Sequence, residues 1–253
     1  MKRLFRILII SVIAVFVFVS CNLSGSESAD SNGISLYVTG NTEDSSTAGS
    51  RNANASQGVT TELGGSKIVV TKVEMVILEL KLDVDSDNPD SEVEDLEVGP
   101  FLFDLPLDGS VAKLFDGIFV PEAYYDELEI EVDAPEGDDE HVAFFEATYP
   151  DWPIDASIRV TGTYQSGDAD PIDFVYVQED FNDDFEIEFE PALQISDGET
   201  SIVLAIDVSA WFLNETADGL YDPNDITPDS DAASQVEDNI ENSFEAFEDS
   251  LES

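Results

Sequence analysis

Apolar and polar residues alternate one by one along much of this chain. Leu128, Ile130 and Val132 alternate with Glu127, Glu129 and Glu131, and Phe185, Ile187 and Phe189 with Glu186, Glu188 and Glu190. Ile34, Leu36 and Val38 alternate with Ser35, Tyr37 and Thr39, and Ile158, Val160 and Tyr164 with polar neighbours. Ile202, Leu204, Ile206 and Val208 form another apolar row. A period of two puts one face of a strand on a core and the other in solvent. Residues 67–82, KIVVTKVEMVILELKL, are more continuously apolar and predict a central strand or a long bent one; residues 172–177, IDFVYV, predict another. Clusters of Gly, Pro, Asn and Asp separate the runs, as turns require. About eight short strands without helical periodicity between them predict an all-β fold, an antiparallel β-sandwich over residues 33–213, with a barrel as the alternative closure.

Three stretches interrupt this pattern. Residues 40–66 are polar and low in complexity, which predicts a mobile loop. Residues 107–117, LDGSVAKLFDG, suit one helical turn or a short helix, and residues 214–229 form an acidic loop. The period then changes. Val236, Ile240, Phe244, Phe247 and Leu251 follow one another at steps of four, four, three and four, the trace of one helix face over 230–253. Ser230 or Asp231 suits the N-cap. The apolar stripe belongs either against the β domain or against a partner.

The N-terminus has its own order. Met1 to Arg6 carries Lys2, Arg3 and Arg6; Ile7 to Val19 is apolar apart from Ser11; Ser20 and Cys21 follow. A basic start, an apolar middle and a small residue at the cut make a secretory signal, and the apolar part is short of the ~20 residues a spanning helix needs. Phe18-Val19-Ser20-Cys21 resembles the lipobox of bacterial lipoproteins. The resemblance implies cleavage before Cys21, acylation of its thiol and retention on a membrane, the outer one in a cell that has two, because Asn22 rather than Asp follows. An uncleaved anchor with an incidental cysteine is the alternative. Cys21 is the only cysteine, so it has no internal disulfide partner, and an odd cysteine in an exported chain calls for a role that acylation supplies. Several acyl chains, at ~0.8 kcal/mol per buried methylene, hold where one is marginal. Residues 21–32 continue as a Ser-rich flexible tether.

Composition narrows the partners. The chain has 57 Asp and Glu against 9 Lys and Arg, a net charge of −48. Loss of residues 1–20 removes Lys2, Arg3 and Arg6 but no acid, which brings the charge to about −51. Nucleic acid needs a basic face and is excluded as a partner, and anionic lipid headgroups repel such a surface. Yet 42% hydrophobic and 10% aromatic content is too much for a disordered acidic chain. A folded core inside an acidic shell repels itself, and salt weakens that repulsion. A saline, halophile-like setting or bound divalent cations would therefore favour the compact state.

The order of strand-like segments resembles an uncharacterised class of bacterial lipoproteins with a domain of unknown function. The segments are GISLYVTG (33–40), IVVTKVEMVI (68–77), FVPEAYYDELEIEV (119–132, with Pro121 and Tyr125), FEIEFEPALQI (185–195) and TSIVLAIDVSAWF (200–212). The resemblance implies a surface-anchored, Ig-like or transthyretin-like β-sandwich and assigns it no chemistry.

Candidate chemistry is sparse. In DVDSDNPDSEVE, residues 83–94, Asp83, Asp85, Asp87, Ser91 and Glu94 stand at positions 1, 3, 5, 9 and 12 of a calcium loop. The flanks read as strands rather than helices, so the candidate is a strand-connecting Ca²⁺ loop and its alternative a solvated acidic turn. Asp180, Asn182, Asp183 and Asp184, and residues 218–231, are weaker clusters of this kind. His141, the sole histidine, has no nucleophile-elbow motif beside it and reads as a surface residue at a loop-to-strand junction. Trp152, in the Pro-bounded TYPDWPID, is the candidate ligand-stacking residue, and Trp211 reads as core. The expected function is therefore that of a membrane-anchored, non-enzymatic envelope protein with a binding, adhesive or structural role. The alternatives are an envelope glycan hydrolase using a carboxylate pair, and a subunit of an envelope assembly.

Overall fold

A computed structural model describes residues 33–39, 58–85, 93–107, 112–113, 121–179, 181–195, 199–228 and 230–245. The signal and tether, Cys21, Asp87, Ser91, Asp180, Phe247 and Leu251 lie outside the described residues.

The fold is mostly β. Its strands are β1 (Gly33–Thr39), β2 (Val59–Leu63), β3 (Ser66–Val84), β4 (Leu96–Val98), β5 (Phe101–Asp104), β6 (Ala112–Lys113), β7 (Tyr124–Val132), β8 (Ala156–Ser166), β9 (Ile172–Glu179), β10 (Asp183–Gln194) and β11 (Glu199–Ala205). Among the described residues two α-helices accompany them, α1 (Asp139–Thr148) and α2 (Asp231–Glu245). An eight-stranded antiparallel sheet runs β10-β7-β3-β8-β9, with β2, β4 and β5 also pairing with β3. A second sheet runs β11-β1-β6. There β1 pairs with β11 in parallel, unlike the antiparallel pairing expected throughout. Parallel neighbours need a long crossover, and the whole of the main sheet lies between these two strands in sequence.

The 19-residue β3 organises the main sheet. Strand β5 pairs with Glu74–Ile77 on one edge. The other edge is shared end to end, by β8 up to Met75 and by β7 from Ile77 onward. Thus β3 ties β2, β8 and β9 at its start to β4, β7 and β10 at its end. Register shifts fall between Val70 and Lys72 and between Ile77 and Glu79. Each shift moves the inward face by one residue: Ile68 and Val70, then Val73, Met75 and Ile77, then Leu80 and Leu82 are all buried in one core cluster.

The other face of β3 at its midpoint is covered by α1. Val76 and Leu78 join Phe145, Trp152 and Ala156 in a second cluster. The loop-to-strand junction expected at His141 gives way to this helix, which Asp138 caps by accepting from the N–H groups of Glu140 (2.7 Å) and His141 (3.2 Å). These bonds hold the Asp138 carboxyl below its usual range. The expected loop over 40–66 also needs correction, because residues 59–63 form β2. Gly64 and Gly65, with φ of 61° and 82°, make the two-residue turn into β3. Two successive positive φ values define the hairpin turn for which Gly-Gly is suited. Within the expected helix of 107–117, the described residues Ala112 and Lys113 belong to a strand.

The C-terminal helix follows its apolar period. Val236, Ile240 and Phe244 are buried in the main cluster. Ser230 Oγ accepts from the Ala233 N–H at 3.1 Å. Trp211, fully buried, donates from Nε1 to Ser243 Oγ at 2.9 Å, and Asn239 Nδ2 donates to the carbonyls of Trp211 and Leu213. Among the described residues no helix is long and apolar enough to cross a membrane.

Candidate functional site

Strands β4, β3, β7 and β10 turn one face to solvent, and strand register builds a carboxylate field there. One row is Glu79, Glu131 and Asp184; the next is Glu97, Lys81, Glu129 and Glu186; the third is Asp83, Glu127 and Glu188. Alternation puts every Glu of ELEIEV on this face while Leu128, Ile130 and Val132 go to the core. Lys81 is the only cation in the three rows. Its Nζ lies 3.0 Å from Asp83 Oδ1 and 3.4 Å from Glu129 Oε2. The hydrogen bond to Asp83 comes first among the causes that hold Lys81 protonated well above its ordinary range.

Three carboxylates are shifted upward as well, which for an acid disfavours the charged form. Burial, and then repulsion from Glu97 and Glu129, push the Glu79 carboxyl up; burial with Glu186 and Asp83 does the same for Glu127. Glu131 is raised by burial first and then by Asp184, Glu79 and Asp133. Asp83, Glu127 and Glu129 each offer an oxygen, all within 4.8 Å of one another. That donor set suits a hard cation, but the Lys81 ammonium already contacts two of its three members.

Of the expected calcium-loop residues, Asp83, Asp85 and Glu94 are described, at the end of β3 and on its connection to β4. Asp83 is a strand residue whose neighbours are Lys81 and, across the ladder, Glu127. Asp85 follows β3, and its N–H donates to the Tyr124 carbonyl at 2.8 Å. Glu94 is exposed ahead of β4. What joins Asp83 is a pair from β7, 44 and 46 residues further along the chain. Lys81 is not marked out by any motif; its signal in the sequence is a lone lysine in ELKLDVD ahead of a Glu-alternating strand.

Trp152 is not the surface stacking residue expected. It is 5% exposed, its Nε1 donates to the Ala156 carbonyl at 2.9 Å, and the Arg159 guanidinium lies 4.6 Å over its ring. Arg159 in turn reaches Glu74 Oε2 at 2.8 Å, while Lys72 holds Oε1 at 2.7 Å. His141 stands in the first turn of α1, its N–H on Asp138. Of the weaker acidic clusters, Asn182 donates to Asp133 Oδ2 at 2.7 Å, and Asp218 Oδ1 accepts from Thr216 at 2.6 Å and Asn214 at 3.0 Å. These last two bonds hold the Asp218 carboxyl low.

Beside the field, where β10 bulges, a cleft of about 630 Å³ is lined by Asp85, Asp126, Glu127, Glu188 and Glu190 with Phe189, Pro191 and Ala192. A polar groove of about 390 Å³ separates β9 from the start of α2. No family model, curated protein or solved structure matches the chain.

Proposed function

We propose that this chain is a lipid-anchored bacterial envelope protein, tethered through Cys21, whose acidic β domain has a non-catalytic binding or structural role. The observation that carries the reading is Phe18-Val19-Ser20-Cys21 at the end of a basic-then-apolar leader, with Cys21 the sole cysteine. The strand-segment resemblance to uncharacterised lipoproteins supports it. So does the carboxylate field around Lys81, a surface that attracts cations and repels nucleic acid and anionic headgroups. The hydrolase alternative rests on a carboxylate pair in a cleft flanked by Trp152, and that ring lies buried under Arg159.

Expression in a bacterial host with radiolabelled palmitate tests the anchor. The wild-type chain takes up label and partitions into detergent, whereas Cys21→Ser does neither; a wild-type chain without label overturns the reading. In a host with two membranes, sedimentation places the labelled protein with the outer one. Calcium belongs to the same proposal through Asp83, Asp85, Asp87, Ser91 and Glu94. Calorimetry on wild type and on the Asp83→Asn, Asp85→Asn, Asp87→Asn triple variant tests it, and the absence of binding heat in wild type removes it.

A further inference from the structure

The ladder between β7 and β10 has an unusual composition. Its outward pairs are Asp184 with Glu131, Glu186 with Glu129, and Glu188 with Glu127, so all six residues are acidic. Directly opposed side chains in a sheet stand about 4.5–5.5 Å apart at Cβ, and like charges there destabilise the pairing. Lys81 lies one strand further in, where its contacts are Asp83 and Glu129. The ladder is also interrupted: after Glu188 the next matched pair is Leu193 with Tyr125. Strand β10 ends the path of the main sheet.

Apart from the Lys81 contact with Glu129, the inward face opposes this repulsion. Phe185 and Ile187 are buried, and the Phe185 ring stacks on Phe244 of α2 at 4.2 Å. The opposite end of the sheet provides a contrast. Between β8 and β9 the pairs on the other face are Arg159 with Val177, Thr161 with Val175 and Thr163 with Asp173, and none joins two acids. Both end strands are paired with their neighbour, but only β10 sets acid against acid on its outward face.

We propose that β10 is an ionic-strength-dependent latch: residues 183–188 separate from β7 in dilute salt and close on it when the facing carboxylates are screened, carrying the contact with α2. The lengths agree. The Debye length is about 30 Å at 0.01 M salt, longer than the whole acidic field, and about 3 Å at 1 M, shorter than one cross-strand spacing. Opening exposes Phe185, Ile187 and the inward side of Phe244, so the latch couples salt to the exposure of an aromatic surface.

Hydrogen–deuterium exchange on the full-length chain in a nonionic detergent, at constant pH in 10 mM and 1 M KCl, tests the latch. Amides of 184–188 gain protection by about ten-fold or more in high salt, while those of 158–163 in β8 change by less than about two-fold. Glu186→Lys with Glu188→Lys makes cross-strand ion pairs and gives the protected state already in 10 mM KCl; Glu186→Gln with Glu188→Gln does so in part. Equal protection of both ladders in dilute salt, an equal salt response in both, or an unaltered response in the two variants overturns the proposal.

Discussion

Glu74 shows how this chain uses its few cations. It is 6% exposed, yet each carboxylate oxygen has its own base, Lys72 on Oε1 and Arg159 on Oε2. Removing one partner of a buried pair leaves an uncompensated charge and costs about 3–5 kcal/mol. Arg159 is the less exposed base and also covers Trp152, whereas Lys72 is 45% exposed. Arg159→Met should therefore cost about 3 kcal/mol, and Lys72→Met about 1 kcal/mol or less, read from urea unfolding midpoints. Gly162 is a second sensitive residue. A Cβ there would meet the Val69 carbonyl oxygen at 2.2 Å and the Phe174 ring at 2.9 Å. Gly162→Ala should cost about 1–3 kcal/mol by the same measurement. Protonation gives a third expectation. Glu79, Glu127 and Glu131 titrate higher folded than unfolded, so the folded state binds more protons. Their contribution is fully present below the ordinary Glu range of about 4.3 and is lost as pH rises through their raised values. The unfolding midpoint should rise from pH 7.5 to pH 5, and the triple Glu→Gln variant at these positions should flatten that rise. The place of Glu74 was not legible in the sequence, because the register shift between Val70 and Lys72 decides the face on which it sits.

Elements were legible where their period was undisturbed. Strands β7 and β10 follow from alternation, and α2 from its spacing of four, four and three. Ile240→Ala, at a fully buried position, should cost about 2–5 kcal/mol in urea unfolding. The β3 segment reads as continuously apolar for two reasons. Its bulges re-aim the inward face, and at its midpoint α1 covers the side that would otherwise meet solvent. Helix α1 is not legible in the sequence because Phe145, its one buried residue among those described, leaves hardly any amphipathic stripe. Phe145→Ala should still cost about 3–5 kcal/mol, since it opens the cluster with Val76, Leu78 and Trp152. Strand β2 was overlooked because VTTEL has little apolar pattern; its Gly64-Gly65 turn was the available signal.

At the scale of the molecule, charge is arranged as well as abundant. Lys67, Lys72 and Lys81 lie on β3 and Arg159 on β8, and all four pair with acids. Among the described residues, every cation except Lys113 of β6 thus lies on the central strand or its neighbour, while carboxylates crowd the strands beyond. Exposed pairs of this kind add little each, but the repulsion of a −48 chain is summed over the surface and falls with screening. Calorimetric melting of the domain without calcium should therefore occur at a higher temperature in 1 M NaCl than in 10 mM NaCl. A melting point independent of salt would show that the acidic shell does not limit stability.

The sequence by itself determined the β class, the acid on the outer faces, the C-terminal helix and the candidate anchor at Cys21. These depend on local period, composition and neighbouring residues, which the chain carries wherever it folds. Only the tertiary structure decided which acids meet. Asp83 with Glu127 and Glu129, Lys81 among them, the acid-on-acid ladder of β7 and β10, and the burial of Trp152 under Arg159 all arise from strand register and bulges. Register is settled by long-range packing of the inward faces, so a one-residue shift in β3 changes every partner on its outer face without changing a letter of the sequence.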